Sequence, residues 1–231
     1  MSCIKSIRFH CIKIFALIND WFVPEFSKDN SFHVGTEILN FISVTRLRKR
    51  GANQILKSIN WDCKKYHLRG FNMTDIHANN EFGSKKLEES LMPINMHIYA
   101  ANEHVSFIEN GIKIIKERAR SICHAVPYKR YTRLMTRFLI ENVVELLNLF
   151  PSKNRVSDTM SPATIVEGKS KLDLSIERLE FGTYVMVHMG TSNNMRKRSI
   201  PAISLKPSNN AGGHFFMSLY SGEKIHGYNW D

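Results

Sequence analysis

The chain has 231 residues, with 32 Lys and Arg against 21 Asp and Glu for a formal net charge of +11 and a pI near 9.6. That length suits one full-sized domain and a small appendage. The charge favours a polyanionic partner, and the chain lacks the low complexity of a basic tail.

Residues 1–30 match no assignable element. Within them Ile12 to Ile18 is apolar but interrupted by Lys13, and far too short to span a bilayer. Lys5 and Arg8 precede it without a small-residue cleavage pattern, so no signal peptide is expected. From Phe32 to Thr45, alternating and β-branched residues predict a strand pair, closed by the basic run Arg46–Arg50. Ala52 to Tyr66 reads as a helix with Ile55, Ile59 and Trp61 as apolar contacts. Phe71 to His77 reads as a strand. Ile94 to Ala100 is another, with Ile94, Met96 and Ile98 alternating.

A helix follows. From Val105, apolar residues recur at Ile108, Ile112, Ile115, Ala119 and Ile122, one continuous helical stripe. Glu109, Lys113, Lys116 and Arg120 occupy a neighbouring stripe, a single acid followed by three cations. Such a face is also what an ordinary solvated helix displays. A second, more hydrophobic helix from Tyr131 to Phe150 carries Phe138, Leu139, Val143, Leu146, Leu147 and Phe150 on a wide apolar face and is stopped by Pro151. Pro151 to Lys171 reads as a polar linker. Strands are expected at Tyr184–His188, Ala202–Leu205, His214–Tyr220 and Lys224–Tyr228, with Ser221-Gly222 turning the last pair. The boundaries follow: 1–30 unassigned, 31–150 an α/β core, 151–171 a linker, 172–231 a small β domain.

Four cysteines, Cys3, Cys11, Cys63 and Cys123, include no C-x-x-C pair, which suits reduced thiols in an intracellular protein. Ala211-Gly212-Gly213 lacks the strand-to-helix context of a phosphate cradle. Cations cluster at Arg46/Arg48/Lys49/Arg50, Arg118/Arg120, Lys129/Arg130/Arg133 and Arg196/Lys197/Arg198. Each alone suits a solvated face; on a phosphoryl-transfer scaffold their sum favours DNA contact, with a ribosomal or membrane-surface partner as the alternative.

The chemistry-bearing feature is the turn His77-Ala78-Asn79-Asn80-Glu81-Phe82, followed 109 − 79 = 30 residues later by Glu109. A strand ending in a carboxylate-bearing turn and a later helical Glu commonly assemble two-metal phosphoryl-transfer sites. The run Gly70 to Phe82, the Asn102-to-Arg120 segment, Leu146 to Asn154, Ser161 to Lys169, and Phe181 to His188 with Phe216 to Trp230 resemble, in this order, integrases of copia-type LTR retrotransposons. The resemblance covers 38–231. It implies an RNase H-like, retroviral integrase-type α/β catalytic core followed by a small all-β C-terminal domain.

By resemblance Glu109 stands at the family's catalytic, metal-binding Glu. Asn79 replaces the second catalytic Asp, and Asp29 is the nearest residue to the first, with Asn30 and Ser31 as alternatives at that position. Intact relatives use Mg²⁺ or Mn²⁺ to trim and join DNA ends, two ions clamping the attacking and leaving oxygens. An Asn keeps a carbonyl oxygen but loses the negative charge that offsets the dications, so a damaged site is expected. Asp75, His77 and Asn79 alternate and share a strand face, but Asp75 lies roughly 13 Å from Asn79. It and Glu81 are expected as ordinary polar residues, and His77 as a structural histidine. Lys113, Lys116 and Arg120 are the expected DNA-phosphate contacts. The family's N-terminal zinc module is not expected, since His10-Cys11 lacks paired spacing. The resemblance further implies DNA as partner, a homo-oligomer, no membrane, and action in the nucleus. The competing class is a non-enzymatic nucleic-acid-binding relic or co-opted module.

Overall fold

A computed structural model describes residues 5–14, 30–36, 39–47, 51–79, 83–99, 106–151, 157–168, 179–190, 195, 197–208 and 212–231. In chain order these form β1 (Lys5–Ile14), β2 (Asn30–Thr36), β3 (Ile42–Leu47), α1 (Ala52–His67), β4 (Phe71–Asn79), α2 (Lys85–Leu91), β5 (Asn95–Tyr99), α3 (Ser106–Ala125), α4 (Arg133–Leu149), α5 (Pro162–Glu167), β6 (Tyr184–His188), β7 (Ser199–Pro207), β8 (His214–Ser218) and β9 (Lys224–Gly227). The chain divides into two compact units, Met1–Lys116 with Val144–Leu172 and Glu117–Val143 with Asp173–Asp231.

The first unit is built on a five-stranded sheet ordered β3-β2-β1-β4-β5. β1, β2 and β3 are successive antiparallel neighbours, while β4 runs parallel to β1 and β5 parallel to β4. This order and these directions are those of the RNase H-like fold. Residues 1–30, to which no element was assigned, thus contribute the central strand. The alternation of Ile7, Phe9 and Cys11 with Arg8 and His10 was its local signal, masked by the apolar run that follows.

A register shift between Ile7 and Arg8 leaves Thr74 without a counterpart on β1, a β-bulge. It reverses the phase of β4. Phe71 and Met73 pack against the core before it, and the buried Ile76 and Ala78 do so after it. The core they join is closed by Ile55, Ile59 and Tyr66 of α1, Leu87 and Leu91 of α2, and Val166 of α5. Tyr66 is fully buried and meets Phe41 and Phe71 edge-on, with ring centroids 6.0 and 6.5 Å apart.

Two expectations are corrected here. Trp61 is no core contact but 63% exposed, because the buried stripe of α1 runs through Ile55, Ile59, Asp62 and Tyr66. Two residues beyond Ile59, Trp61 lies on the opposite side. Phe150, expected on the apolar face of α4, follows the helix end and is 56% exposed. The expected linker also holds a helix, α5. Ser161 caps it by accepting from the Thr164 amide at 3.1 Å, Pro162 starts it, and Gly168 ends it in the left-handed region. The Arg69 guanidinium donates to the Glu167 carbonyl at 2.7 Å and fills the space a side chain at Gly168 would need.

The second unit carries the small all-β module, sheet order β6-β7-β8-β9, close to the four strands expected. The sheet closes on itself. Met186 and Asp231 exchange backbone hydrogen bonds of 2.9 and 3.1 Å, the His188 amide donates to the Asn229 carbonyl, and Val187 bridges Trp230. The free edge of β6 is thereby paired. Val185, Val187, Ala202 and Phe216 fill the interior with Ile225 and Trp230 packed on them. At Gly227 a Cβ would come 2.5 Å from Val187 Cγ1.

His214 lies in this interior, 1% exposed. Its ring sits 5.0 Å from Phe216 and 5.7 Å from Trp230, with Nε2 2.8 Å from Ser204 Oγ. Burial, with His226 secondarily, lowers its pKa to about 4. The unfolded chain protonates such an imidazole near 6.5, so it binds more protons than the folded one between those values. Stability is therefore full above about pH 6.5 and falls towards pH 4, by about 3 kcal/mol from this residue. Urea unfolding followed through Trp230 should show that slope, and His214→Phe should flatten it.

In the first unit, Asn148 joins α4 to β3. Its Oδ1 accepts from the Ile42 amide at 2.8 Å and its Nδ2 donates to the Ile42 carbonyl at 2.6 Å, both buried. Asn148→Leu leaves both backbone groups unpaired and should cost roughly 2–4 kcal/mol, read as a lower urea midpoint.

Candidate functional site

The bulge turns Asp75 and His77 onto the sheet face opposite the apolar core, and the backbone of Asn79 continues the strand beyond them. Register sets Asn95, His97 and Tyr99 of the edge strand β5 beside them in that order. His77 and His97 stack at 4.8 Å, their planes 17° apart. His77 stacks on Tyr99 at 5.6 Å, and its Nδ1 lies 2.7 Å from the Tyr99 hydroxyl. Asp75 holds one end of the row. Thr74 Oγ1 donates to its Oδ2 at 2.7 Å, and its Oδ1 lies 3.2 Å from His97 Nε2 and 3.5 Å from Asn95 Nδ2. The Thr74 hydroxyl first, then His97, hold the Asp75 carboxyl below its usual range. Asp75 and His77 thus each have side-chain partners in this row.

Asn79 is the last residue of β4, in register with Tyr99. Glu109 lies in the first turn of α3. The side chains of both, together with all of Asp29 and Glu81, lie outside the described residues. On α3 the expected apolar stripe is buried at Ile115 and Ala119, with Ile112 and Ile122 partly covered. Lys113 and Arg120 are exposed and Lys116 half-buried.

A carboxylate sharing a metal with the end of β4 has to come from a neighbouring strand or helix. The neighbours are β1 and β5. Neither KSIRFHCIKI nor NMHIY contains an acid, and Asp75 is the one carboxylate on the five strands. Asp29 precedes β2, not β1. Hard Mg²⁺ takes oxygen ligands, whereas the β4–β5 row offers imidazoles and a carboxylate already hydrogen-bonded. Among the described residues, no group of three His, Cys, Asp or Glu is placed to hold a metal ion. The described residues do not fit a two-metal centre.

Thiol chemistry has no better footing. Cys63 and Cys123 are free, and burial, then Asp62, pushes the Cys63 thiol up to about 11. Asp62 on α1 escaped the sequence reading. It is 1% exposed, accepts from Ser43 Oγ at 2.9 Å and faces Lys65 Nζ at 3.4 Å. Its signal was an acid in the apolar stripe.

No family model and no curated protein matches the chain. Solved structures do. The catalytic core domain of BIV integrase aligns over 71% of this chain and 95% of its own at 11% identity, TM-score 0.44. The HTLV-2 integrase catalytic core domain in complex with magnesium, in its trimeric form, aligns over 72% and 99% at 14% identity, TM-score 0.49. The simian T-cell lymphotropic virus intasome in complex with PP2A regulatory subunit B56 gamma aligns over 99% and 81% at 10% identity, TM-score 0.47. Likenesses this distant leave the fold assignment to strand order and direction.

The Asp75 cluster has a measurable consequence. Carboxyl resonances followed by NMR should show Asp75 titrating below about 3.9, and Thr74→Val should raise its pKa more than Asn95→Ala does. Because the folded pKa is depressed, the stabilisation is present above the unfolded value and lost as pH falls through the folded one.

Proposed function

We propose that this chain is an integrase-type DNA-binding protein, descended from the integrase region of a copia-type retrotransposon, that holds DNA without joining its ends. The observation that carries the proposal is the absence of a carboxylate from both strands flanking β4, together with Asn at the strand's own end. Losing bridging carboxylates removes charge that offsets two dications, and each 1.36 kcal/mol of lost transition-state stabilisation costs about tenfold in rate.

Binding needs less. The net charge of +11 and the row Lys113, Lys116 and Arg120 along α3 suit phosphate contacts whose affinity falls with salt as counterions are released. Mg²⁺ or Mn²⁺ would serve an intact relative; here Glu109 is the remaining candidate ligand. Self-association and action in the nucleus follow from the family resemblance. Among the described residues no helix is long and apolar enough to cross a membrane.

Strand transfer on a labelled DNA end with Mg²⁺ or Mn²⁺ tests the proposal. The parent chain should bind the end and join nothing. Charge reversal at Lys113, Lys116 and Arg120 should weaken binding and flatten its salt slope by about 0.9 per lost contact. Joining by the parent chain, abolished by Glu109→Gln, would make it an enzyme that tolerates Asn79. Rescue by Asn79→Asp alone would locate the defect in one ligand.

A further inference from the structure

The outward side of α1 bears a pattern that neither the fold nor the proposed site uses. Lys57, Trp61, Lys64 and Leu68 follow one another at helical spacing of four, three and four residues, Leu68 capping the helix. Trp61 is 63% and Leu68 82% exposed, and both lysines are exposed. The helix's one acid, Asp62, is buried on the other side against Ser43 and Lys65. The displayed face is therefore cationic around an indole. Neighbouring α2 adds no net charge, since Lys85 and Lys86 balance Glu88 and Glu89.

We infer that this face binds single-stranded nucleic acid, with one base stacked on Trp61 and its flanking phosphates met by Lys57 and Lys64. The cations stand one helical turn before and one turn after the ring, about 6 and 4.5 Å along the axis at 1.5 Å per residue. A nucleotide offers the complementary arrangement, a planar apolar base between two anions. Stacking on an exposed aromatic side chain inside a basic surface is how strands are held without sequence preference. A second copy fits worse, because an isologous contact sets Lys57 and Lys64 against their own symmetry mates. The site is separate from α3 and does not depend on the function proposed above.

Titration with an oligodeoxyadenylate tests it, with blunt duplex DNA as the control. Binding should quench intrinsic fluorescence, and Trp61→Phe should abolish that quench while keeping most of the affinity. Trp61→Ala should weaken the single strand about tenfold and leave the duplex unchanged. Lys57→Gln with Lys64→Gln should lower the single-strand salt slope by about 1.4, at 0.7 per lost contact. Unchanged single-strand affinity in Trp61→Ala overturns the inference. So does a shift from dimer to monomer in that variant by sedimentation, which assigns the face to a second copy. Quenching of Trp61 in the parent chain by polyglutamate but not by the oligonucleotide overturns it in favour of an acidic polypeptide. Duplex binding that is absent from the parent chain sinks the function proposed for α3 and leaves the single-strand result to decide this site.

Discussion

Thr74 is the residue by which β4 exceeds its neighbour β1, and much of the first unit depends on that excess. A strand shows alternate faces with strict period two, so Phe71 and Met73 could not otherwise share a side with Ile76 and Ala78. The bulge lets both pairs face α1 and α2, and it turns Asp75 and His77 the other way. Thr74 then caps the carboxylate it has displaced, through its hydroxyl at 2.7 Å. Packing and the polar row come from the same irregularity.

Fold and chemistry separate easily in this architecture. The apolar side of the sheet, the Tyr66 contacts and the Asn148 clamp on Ile42 hold the unit together. An Asp replaced by Asn at a strand end loses a charge and hardly any volume, so it leaves packing intact. Phosphoryl transfer with two metals, by contrast, depends on a few negative charges at fixed places. The surplus of cations suits a polyanion.

The β module follows another logic. Its sheet closes through the backbone pairing of Met186 with Asp231, which covers the β6 edge that would otherwise invite pairing with another chain. Closure also seals His214 among Phe216, Trp230 and Ser204, where the imidazole stays neutral. The module's pH response is a result of its packing.

Local periodicity was enough to find α3, α4, β5 and the four strands of the module, because each pattern is complete within one element and set by which residues must avoid water. The signals of α5 were equally local, a capping Ser161, Pro162 and Gly168, though in a polar stretch they passed for a linker. Pairing partners were not legible. That Lys5–Ile14 lies at the centre of the sheet, that β1 and β5 flank β4 without a carboxylate, and that the row Asp75, His77, His97, Tyr99 assembles at all were decided by contacts between residues 20 and more positions apart. The same holds for Trp61. Its hydrophobicity suggested a core contact, but the packing of α1 chose the Ile55, Ile59 and Tyr66 side and left Trp61, at the opposite helical phase, in water. By itself the sequence determined the charge and most of the elements, β1, α2 and α5 excepted, since these are short-range properties of the chain; tertiary structure decided which side chains meet, since strand neighbours and buried faces are chosen by long-range packing.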